Sequence, residues 1–563
     1  MEKTPGTDRA GAASLLDLYA PGAYASYEEF YEHFRIQVPA DFNFGFDVVD
    51  EMARRAPAQK ALVWCDDNGA EAAFTFADMQ RASNRAARAL TALGIRKGDV
   101  VMLILKRRYE FWFLAVALHK IGAVCIPATH LLTVKDVVYR NNAADIKLIV
   151  TVNDPAVMDC VDAAQAQSPS LVLKANVGAD RPGWHNLTPE LENGPDEFPR
   201  PIGAAATTNS DSLLLYFTSG TTGMPKMVRH NFTYPLGHIL TAKYWQNVQA
   251  GGLHFTVADT GWAKAAWGKI YGQWICGSAV MVYDYDKFVP KKLLEVIARY
   301  GVTTFCAPPT ILRYLIKEDL ETFDLSKLAY CTVAGEPLNP EVYNQFLKKT
   351  GLRLMEGFGQ TEVTVAIATY PWIAPKPGSM GKPSPGYEIH LLDDDGGPCE
   401  AGEEGQVAIF TGQRKPVGMF DGYHRDPELT AKVWHDGVYY TGDVAYRDED
   451  GYFWFVGRAD DCFKSSGYRI GPFEIESALL EHPAVLECAI TAEPDPDRGL
   501  VVKATVVLTK NYTASEELVK TLQEHVKKVT APYKYPRIVE FVSELPKTIS
   551  GKIRRVEIRT NQE

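Results

Sequence analysis

Apolar and polar positions alternate in blocks along the first two-thirds of the chain. Residues 100–105 and 123–127 are short apolar runs, and residues 110–121 between them have the length and composition of a helix. A strand, a helix and a second strand in this order predict a βαβ unit with parallel strands. The same alternation returns at 147–152 and again between residues 303 and 355. The chain is therefore predicted to be α/β in class, with a large N-terminal domain of α/β sheets.

The pattern changes from about Gly386, where short β runs are separated by Gly and Asp. These runs predict a β-rich subdomain that closes the large domain. After Gly457, a polar and glycine-bearing stretch leads into a predicted helix, two strands and an amphipathic helix at 515–529. About a hundred residues of this kind can form a small α+β domain with its own core. We therefore predict a large domain over 1–459 and a small C-terminal domain over 460–563, with a hinge at Asp460.

Length, charge and cysteine content narrow the class of protein. The 563 residues exceed what one hydrophobic core usually supports, and the net charge of −11 argues against a nucleic-acid partner. The longest apolar run, 111–118, is too short to span a bilayer, and no signal peptide is visible. The nine cysteines contain no C-x-x-C pair, which is typical of reduced, buried thiols rather than of a zinc site. These features predict a soluble, cytoplasmic protein.

The most informative local sequence is YFTSGTTGMPK at 216–226. Its hydroxyls, glycines and Lys226 can surround a polyphosphate with backbone N–H groups, hydroxyls and one ammonium. The apolar run at 213–217 predicts that the loop leaves the end of a buried strand, where open α/β sheets bind ligands. The loop is not a Walker P-loop, because Pro225 precedes the lysine and Met227 follows it. The alternative is a Gly/Thr surface turn without a ligand.

Four further motifs follow. EGFGQTE at 356–362 offers an aromatic ring to a purine, a threonine hydroxyl to a phosphate and a carboxylate to Mg²⁺, with a tight turn as the alternative. YTGD at 440–443 offers one carboxylate to both hydroxyls of a ribose, and its alternative is an Asx turn. GRADD at 457–461 comes next. PKTISGK at 546–552 ends on Lys552, which in isolation would be a solvated lysine.

In this order, the five motifs resemble the adenylate-forming (ANL) superfamily of acyl-CoA synthetases, firefly-type luciferases and peptide-synthetase adenylation domains. The resemblance extends from about residue 42 to the C-terminus. Within it, DTGW, AGEPL, GRADD, SSGYRIGP, PDPDRG and APYKYPRIVEF look most like the medium-chain acyl-CoA synthetases. The resemblance implies two steps: a carboxylic acid and ATP give an acyl-adenylate and pyrophosphate, and coenzyme A then displaces AMP to give the acyl-CoA.

The resemblance also implies which residues bind ATP and Mg²⁺. The β- and γ-phosphates are assigned to Thr218, Ser219, Gly220, Thr221, Thr222, Gly223 and Lys226. The rest of the nucleotide is assigned to Gly335, Glu336, Pro337, Glu356, Gly357, Phe358, Gly359, Gln360, Thr361, Asp443, Arg458, Arg469 and Lys552. Phe358 would stack on the adenine where most relatives have tyrosine, Asp443 and Arg458 would hold the ribose, and Thr361 would contact the α-phosphate. Glu362 is the implied Mg²⁺ ligand.

Lys552 is the implied catalyst of the first step, together with Thr361 and Glu362. Its ammonium would stabilise the negative charge that develops on the α-phosphate and the attacking oxygen. The small domain would then turn about Asp460, which moves Lys552 away and brings the Gly467 loop to the active site. The residues matched to coenzyme A are Ser465, Ser466, Gly467, Arg498 and Lys527. A solvated surface cation is the alternative for Lys527.

The acid pocket is the least determined part of the site. Acetate-selective relatives carry Trp at the position of Gly359, so this glycine predicts room for a longer or wider acid. Trp262 and Trp267 are predicted to form apolar walls, with an ordinary core position as the alternative for Trp267. Apolar walls favour a plain medium-chain, branched or aryl monocarboxylate over an amino acid, whose ammonium would need an acidic partner.

Other functions remain open from the sequence. The chain could load the phosphopantetheine arm of a carrier protein instead of free coenzyme A. A non-catalytic sensor of AMP or acyl-adenylate is disfavoured because Glu362, Asp443, Arg458 and Lys552 are all present. A luciferase-type oxygenase is disfavoured because DTGW replaces the His-bearing segment typical of that class. The oligomeric state, monomer or homodimer, is also open.

Overall fold

The computed structural model describes residues 14–218, 224–465, 468–495, 499–547 and 552–560, with the backbone alone for residues 468, 469 and 560. The strands of this part of the chain are β1 Lys60–Asp66, β2 Glu71–Thr75, β3 Val100–Ile104, β4 Val124–Pro127, β5 Ile146–Val152, β6 Leu173–Val177, β7 His185–Asn186, β8 Ser212–Thr218, β9 Lys226–Asn231, β10 Leu253–Thr256, β11 Ala279–Asp284, β12 Thr304–Ala307, β13 Tyr330–Val333, β14 Leu354–Gly359, β15 Val365–Ala368, β16 Ser379–Pro383, β17 Glu388–Leu392, β18 Glu404–Phe410, β19 Trp434–His435, β20 Val438–Arg447, β21 Phe453–Arg458, β22 Phe463–Ser465, β23 Tyr468–Ile470, β24 Val485–Asp495, β25 Gly499–Leu508 and β26 Ile538–Val542.

The α-helices of the same residues are α1 Leu15–Tyr19, α2 Tyr27–His33, α3 Glu51–Arg55, α4 Phe76–Ala92, α5 Glu110–Ile121, α6 Val134–Ala144, α7 Pro155–Gln165, α8 Thr188–Asn193, α9 Tyr234–Ile239, α10 Ala263–Gly268, α11 Tyr271–Ile275, α12 Pro290–Tyr300, α13 Pro309–Leu315, α14 Pro340–Thr350, α15 Pro427–Val433, α16 Pro472–Glu481, α17 Glu516–Val529 and α18 Arg555–Thr560. Two π-helical turns, Gly45–Asp50 and Leu240–Trp245, lead into α3 and follow α9.

Two large sheets form the body of the molecule. The seven-stranded sheet has the order β7-β6-β5-β3-β4-β8-β9, and β3 pairs in parallel with both β4 and β5. This pairing confirms the predicted βαβ unit. The second sheet has fourteen strands in the order β17-β18-β20-β21-β16-β15-β14-β13-β12-β10-β11-β1-β2, with β19 paired to β20. Its antiparallel end, β15 to β21, continues the parallel part, so the predicted β-rich region is an extension of a large α/β sheet.

Local sequence explains where the central elements begin and end. The parallel strands β3 and β4 are buried along almost their whole length, as continuous apolar runs predict for strands that are covered on both faces. The helix α5 between them ends at Gly122, whose φ of +83° is left-handed and favours glycine. The helix α4 begins with a capping box, because the Thr75 hydroxyl and the Asp78 carboxylate bind each other's backbone N–H groups.

The C-terminal segment forms a small α+β unit with its own core. β24, β25 and β26 make a three-stranded sheet, and β22 and β23 make a hairpin beside it. α16 and α17 pack on this sheet through buried residues such as Ile475, Leu479, Leu522 and Val526. One link to the large domain is a hydrogen bond of 3.0 Å from Asn339 Nδ2 to the carbonyl of Ser477 on α16. A large α/β domain followed by a small α+β domain confirms the predicted fold class.

Two features of the sequence have simple structural outcomes. The nine cysteines all lie within the described residues and none forms a disulfide, and six of them are buried. No helix within the described ranges combines the length and the apolar character that a membrane crossing requires.

Candidate active site

The candidate site lies at the carboxyl ends of β12, β13 and β14, which are parallel neighbours in the fourteen-stranded sheet. Open α/β sheets bind ligands at this edge. The chain leaves β13 through Ala334 and Gly335, and Gly335 has a left-handed φ of +104°, which glycine adopts without strain. The next residue, Glu336, accepts a hydrogen bond from the Thr310 hydroxyl at 2.8 Å. This turn is the one that the sequence assigns to the adenine.

The EGFGQTE strand supports the adenine turn from inside. The carboxyl of Glu356 is buried and accepts a hydrogen bond of 3.0 Å from the backbone N–H of Leu338. Burial raises the pKa of Glu356 to about 8, so the group carries a proton at neutral pH and faces the protein rather than a phosphate. A Cβ at Gly357 would lie 2.5 Å from the ring of Trp245, which packs directly on the strand. Phe358 is half-buried at the end of β14.

A charged corner formed by β20 and β21 lies beside this strand. Asp443 and Arg458 are register partners in the antiparallel pair, and Arg458 Nη1 lies 3.1 Å from Asp443 Oδ1. The Gln360 amide donates to Asp443 Oδ2 at 2.5 Å and to the Thr441 carbonyl at 2.8 Å. The Tyr439 hydroxyl in turn donates to Gln360 Oε1 at 2.8 Å. The structure therefore brings together Gln360, Asp443 and Arg458, three of the residues that the resemblance assigns to the nucleotide.

The electrostatics of Asp443 connect this corner to the small domain. Burial raises the pKa of Asp443, and the Arg458 guanidinium, the Gln360 amide and the Lys552 ammonium lower it. Lys552 is an exposed residue of the small domain, yet its charge acts on a carboxylate inside the large domain. The ammonium of Lys552 therefore lies close enough to the ribose corner to act on Asp443.

A second cluster surrounds Glu362. The Tyr423 hydroxyl donates to Glu362 Oε1 at 2.8 Å, and Lys226 Nζ lies 2.7 Å from that hydroxyl and 3.2 Å from the same carboxylate oxygen. Lys226 also lies over the Tyr423 ring, 4.6 Å from its centroid. The side chain of Lys226 is therefore held against Glu362. The hydroxyl of Thr218, at the start of the same loop, is buried without a hydrogen-bond partner in the described structure.

The chemistry of Glu362 fits one ligand of a Mg²⁺ ion. No group of three or more His, Cys, Asp or Glu side chains within the described ranges could hold a metal by protein ligands alone. Mg²⁺ usually keeps several waters and binds through one or two carboxylates plus substrate phosphates. A single buried carboxylate beside the predicted phosphate loop matches that mode.

The predicted phosphate loop begins at the end of a buried strand, as the sequence predicts. Thr218 ends β8 and lies opposite Lys226, the first residue of the antiparallel neighbour β9. β14 and β15 form another antiparallel pair, and Thr361 and Glu362 lie between them. Five residues of the phosphate loop assignment lie outside the described residues: Ser219, Gly220, Thr221, Thr222 and Gly223.

The acid pocket requires a correction. A Cβ at Gly359 would lie 2.4 Å from Trp267 Cη2 and 2.3 Å from the Thr364 carbonyl oxygen. Trp267 is a buried core residue and packs edge-to-face on Trp245 with ring centroids 5.9 Å apart. The space that the glycine frees is thus taken up, at least next to the strand, by the Trp267 ring. Trp262 is half-buried at the start of α10 and remains available as a wall.

The residues matched to coenzyme A are only partly described. The Ser465 hydroxyl donates to the Leu500 carbonyl at 2.7 Å, so it stabilises the small domain. Lys527 Nζ lies 2.6 Å from Glu524 Oε1 and over the Tyr535 ring, consistent with a paired surface cation. Ser466, Gly467 and Arg498 lie outside the described residues, and the side chain of Arg469 does as well.

The sequence analysis missed three residues that the site uses. Tyr423 and Tyr439 orient Glu362 and Gln360 through their hydroxyls. Lys264 is a half-buried lysine whose ammonium donates to the Ala334 carbonyl at 2.6 Å. The sequence offers one signal for Lys264, which follows the predicted wall residue Trp262 by two positions. No motif near Tyr423 or Tyr439 indicates that these tyrosines belong to the site.

A separate cleft of about 780 Å³ lies at the carboxyl edge of the seven-stranded sheet, away from all of these residues. Its arginines are paired with protein carboxylates: Arg81 with Asp78, Arg85 with Asp196 and Arg108 with Glu110. The residues assigned to the adenine and the ribose lie at the other sheet, and Thr218 and Lys226 of the phosphate loop lie on β8 and β9 of the seven-stranded sheet.

Comparison with known proteins shows the family of the chain. The chain matches the AMP-binding enzyme family over residues 49–424 and the AMP-binding enzyme C-terminal domain over residues 474–552. It is 41% identical to acyl-coenzyme A synthetase ACSM3, mitochondrial, of Mus musculus over 552 residues, covering 96% of this chain and 94% of that protein. It is 44% identical to acyl-coenzyme A synthetase ACSM5, mitochondrial, of Homo sapiens over 535 residues, covering 93% and 91%. These relatives confirm the resemblance to medium-chain acyl-CoA synthetases.

Solved structures show the same architecture. The anthranilate CoA ligase AuaEII in complex with anthranoyl-AMP matches with a TM-score of 0.83 at 28% identity, covering 93% of this chain and 98% of that one. An acyl-CoA synthetase of Brucella canis matches with a TM-score of 0.72 at 29% identity, covering 95% and 99%.

One prediction is wrong. ACSM3 and ACSM5 are named as mitochondrial proteins, which contradicts a plain cytoplasmic location. The predicted activity and the use of ATP and coenzyme A are confirmed. The chain belongs to the AMP-binding enzyme family and is an acyl-CoA synthetase, which activates a carboxylic acid with ATP and transfers the acyl group to coenzyme A.

Proposed function

We propose that the structure represents the adenylation state of this synthetase, with a large domain over 1–459, a small domain over 460–563 and a hinge at Asp460. The observation that carries the proposal is that the Lys552 ammonium of the small domain lowers the pKa of Asp443 in the large domain. The side chains just before and just after Asp460 bind to different domains. Arg458 binds Asp443 of the large domain, whereas the Asp461 carboxylate binds Arg559 of the small domain at 2.6 Å.

The proposed roles follow from the two clusters. Asp443 and Arg458 hold the ribose, and Phe358 stacks on the adenine above the turn at Gly335. Thr218 and Lys226 contact the β- and γ-phosphates, and Thr361 contacts the α-phosphate. A carboxylate oxygen of the acid attacks the α-phosphorus as the bond to the bridging oxygen breaks, and pyrophosphate leaves. Lys552 stabilises the negative charge on the α-phosphate and the attacking oxygen, which avoids the cost of solvent reorganisation.

The Mg²⁺ requirement is part of the proposal. Glu362 would hold the ion together with the phosphates of ATP, and the ion would neutralise charge on the leaving pyrophosphate. Tyr423 and Lys226 keep the Glu362 carboxylate in place through one of its oxygens.

We propose medium-chain, branched or aryl monocarboxylic acids as substrates. Trp262 is half-buried at the start of α10 and offers apolar surface to the acid, and the Trp267 ring bounds the space beside Gly359. Each methylene that such surface buries adds about 0.8 kcal/mol of binding. AuaEII, the anthranilate ligase solved with anthranoyl-AMP, supports inclusion of aryl acids. A panel of hexanoate, isobutyrate and benzoate in an AMP-release assay with ATP and coenzyme A would rank the three classes.

The decisive experiment separates the half-reactions. A Lys552→Ala variant should lose on the order of 10²-fold or more in acid-dependent exchange of pyrophosphate into ATP. It should still convert a supplied acyl-adenylate and coenzyme A to acyl-CoA at close to the normal rate, because that step proceeds without Lys552.

The matched control is Lys547→Ala on the same segment. Lys547 binds both carboxylate oxygens of Glu487 at 2.7 Å, within the small domain. We expect both half-reactions to be nearly normal in this variant. An equal loss of both half-reactions in Lys552→Ala would contradict the role proposed for Lys552.

A further inference from the structure

A half-buried lysine in the cleft, Lys264, has no role in the reaction described so far. Lys264 lies at the start of α10, two residues after Trp262. Its ammonium donates to the carbonyl of Ala334 at 2.6 Å, and a Cβ at Gly335 would lie 3.8 Å from Nζ. The ammonium is thus located directly under the turn assigned to the adenine, on the wall that carries Trp262.

The charges around Lys264 are unbalanced. Burial lowers the pKa of Lys264, the Cys306 thiol and the Glu336 carboxylate raise it, and the Lys552 ammonium lowers it. The Glu336 carboxylate accepts a hydrogen bond from Thr310, and no carboxylate in the described ranges forms an ion pair with Lys264. A buried ammonium without a counter-ion is costly, so the protein alone does not neutralise this charge.

The position of Lys264 indicates which anion of the reaction could neutralise its ammonium. The triphosphate is assigned to the Lys226 and Glu362 cluster, on the β8–β9 hairpin side of the site. Lys264 instead belongs to α10, the helix that carries the acid walls. The remaining anion is the carboxylate of the acid, which must lie near Lys552 when it attacks. Placed between two ammonium groups that repel each other, this carboxylate would neutralise both.

We propose that Lys264 binds the carboxylate of the incoming acid and positions it beside Lys552 before the attack on the α-phosphorus. This inference rests on the proposed function, because it takes the acid end of the cleft from those assignments. The carboxylate charge disappears when its oxygen forms the new bond to phosphorus and pyrophosphate leaves. Lys264 therefore binds the free acid more strongly than the acyl-adenylate, and it contributes to the first half-reaction only.

The test compares the KM for the acid in variants of two lysines of the same region, Lys264 and Lys269. Lys264→Met removes the charge at similar size, and Lys264→Gln also removes it but keeps a donor for the Ala334 carbonyl. The matched control is Lys269→Met. Lys269 directly follows α10, burial lowers its pKa to about 7, and its charged neighbours are Arg107, Asp259 and Asp284, away from the nucleotide.

We expect the KM for the acid in pyrophosphate exchange to rise about 10- to 100-fold in both Lys264 variants, the effect of losing a hydrogen bond to a charged group. The rise should be similar for hexanoate, isobutyrate and benzoate. Thiolysis of supplied acyl-adenylate should change less than about threefold, and Lys269→Met should keep a normal KM for the acid.

Several results would overturn the role. An unchanged KM for the acid in Lys264→Gln would do so, and so would an equal loss in both half-reactions. A rise that occurs with one acid alone would show that Lys264 contacts the tail rather than the carboxylate. If the unsubstituted enzyme shows no exchange with any acid, the proposed substrate range fails first, and the role of Lys264 fails with it. If the unsubstituted enzyme shows normal exchange and the KM for the acid is unchanged in both Lys264 variants, only the role of Lys264 is overturned.

Discussion

The two sides of the catalytic cleft are held together in different ways. On the large domain, side chains from four separate segments bind one another: Gln360 contacts Asp443, and Glu362 contacts Lys226 and Tyr423. On the small domain, the strong contacts lie behind the catalytic lysine. Arg555, three residues after Lys552, binds both oxygens of the buried Glu476 at 2.7 and 2.8 Å.

This difference fits an enzyme that uses one nucleotide site with two arrangements of its small domain. The nucleotide side is organised before any domain motion, and its geometry can persist through both half-reactions. The small domain is stabilised by its own core and by the Arg555–Glu476 pair, and it meets the large domain through contacts such as Asn339 with Ser477. A body that is internally stable can rotate without unfolding.

The largest expected effect comes from breaking the small-domain pair. Arg555→Met leaves Glu476 buried without its cation, which typically costs about 3–5 kcal/mol. We expect this loss to appear as reduced hydrogen-exchange protection of α16 and β24, with ATP binding to the large domain retained. The control is Arg554→Met, because Arg554 is exposed and pairs with Glu557. Equal loss of protection in both domains would contradict the independence of the two sides.

The next largest effect concerns the ribose corner. Asp443→Asn removes the negative charge that Arg458 and Gln360 hold in place, and with it the strong acceptor proposed for the ribose hydroxyls. Two lost hydrogen bonds to a charged group correspond to roughly a 10²-fold or greater fall in kcat/KM. Because AMP stays bound in both half-reactions, we expect exchange and thiolysis to fall together, unlike in Lys552→Ala. Asp448→Asn, on a carboxylate that binds Lys376, is the control.

Much of the fold could be predicted because it depends on local pattern. The helix predicted over 110–121 matches α5 at both ends, since an apolar run stops at a glycine that can adopt positive φ. The Asp443 and Arg458 motifs could be paired because they lie on consecutive strands. The contacts of Gln360 with Asp443 and of Tyr423 with Glu362 join residues 83 and 61 positions apart, and no local pattern contains them. The contact between Gly359 and Trp267 is equally invisible to local pattern, since Trp267 reaches the glycine from α10; the room that Gly359 leaves for a longer or wider acid stays a prediction.

A smaller effect tests the interior of the nucleotide side through pH. The folded pKa of Glu356 is about 8 and its ordinary value is 4.5, so the folded state holds a proton that the unfolded state releases between these values. Stability from this group is complete below pH 4.5 and falls as pH rises, by roughly 1.4 kcal/mol per unit at most. Glu356→Gln should remove this decline. The free energy of unfolding of both proteins, measured at pH 5, 6 and 7, would show a difference that grows with pH.

A constant difference between Glu356→Gln and the unsubstituted enzyme would contradict a protonated Glu356. Glu388→Gln is a suitable control, because Glu388 is exposed on β17. Its substitution should leave the pH profile unchanged.

The smallest expected effect concerns Tyr423, which joins two charged residues without carrying charge. Tyr423→Phe removes the hydroxyl that contacts Lys226 and Glu362 but keeps the ring under the lysine. A hydrogen bond to a charged group contributes about 1.5–3 kcal/mol, but Lys226 still pairs directly with Glu362 in this variant, so we expect the first half-reaction to fall about tenfold. The loss should appear as a higher KM for ATP and a higher Mg²⁺ concentration for half-maximal exchange, because Glu362 is oriented less well. Thiolysis should be nearly normal, since no phosphate chain is bound then. Tyr440→Phe, on β20, is the control for loss of a tyrosine hydroxyl. If thiolysis fell as much as exchange in Tyr423→Phe, Tyr423 would support the whole nucleotide side of the cleft rather than its phosphate end.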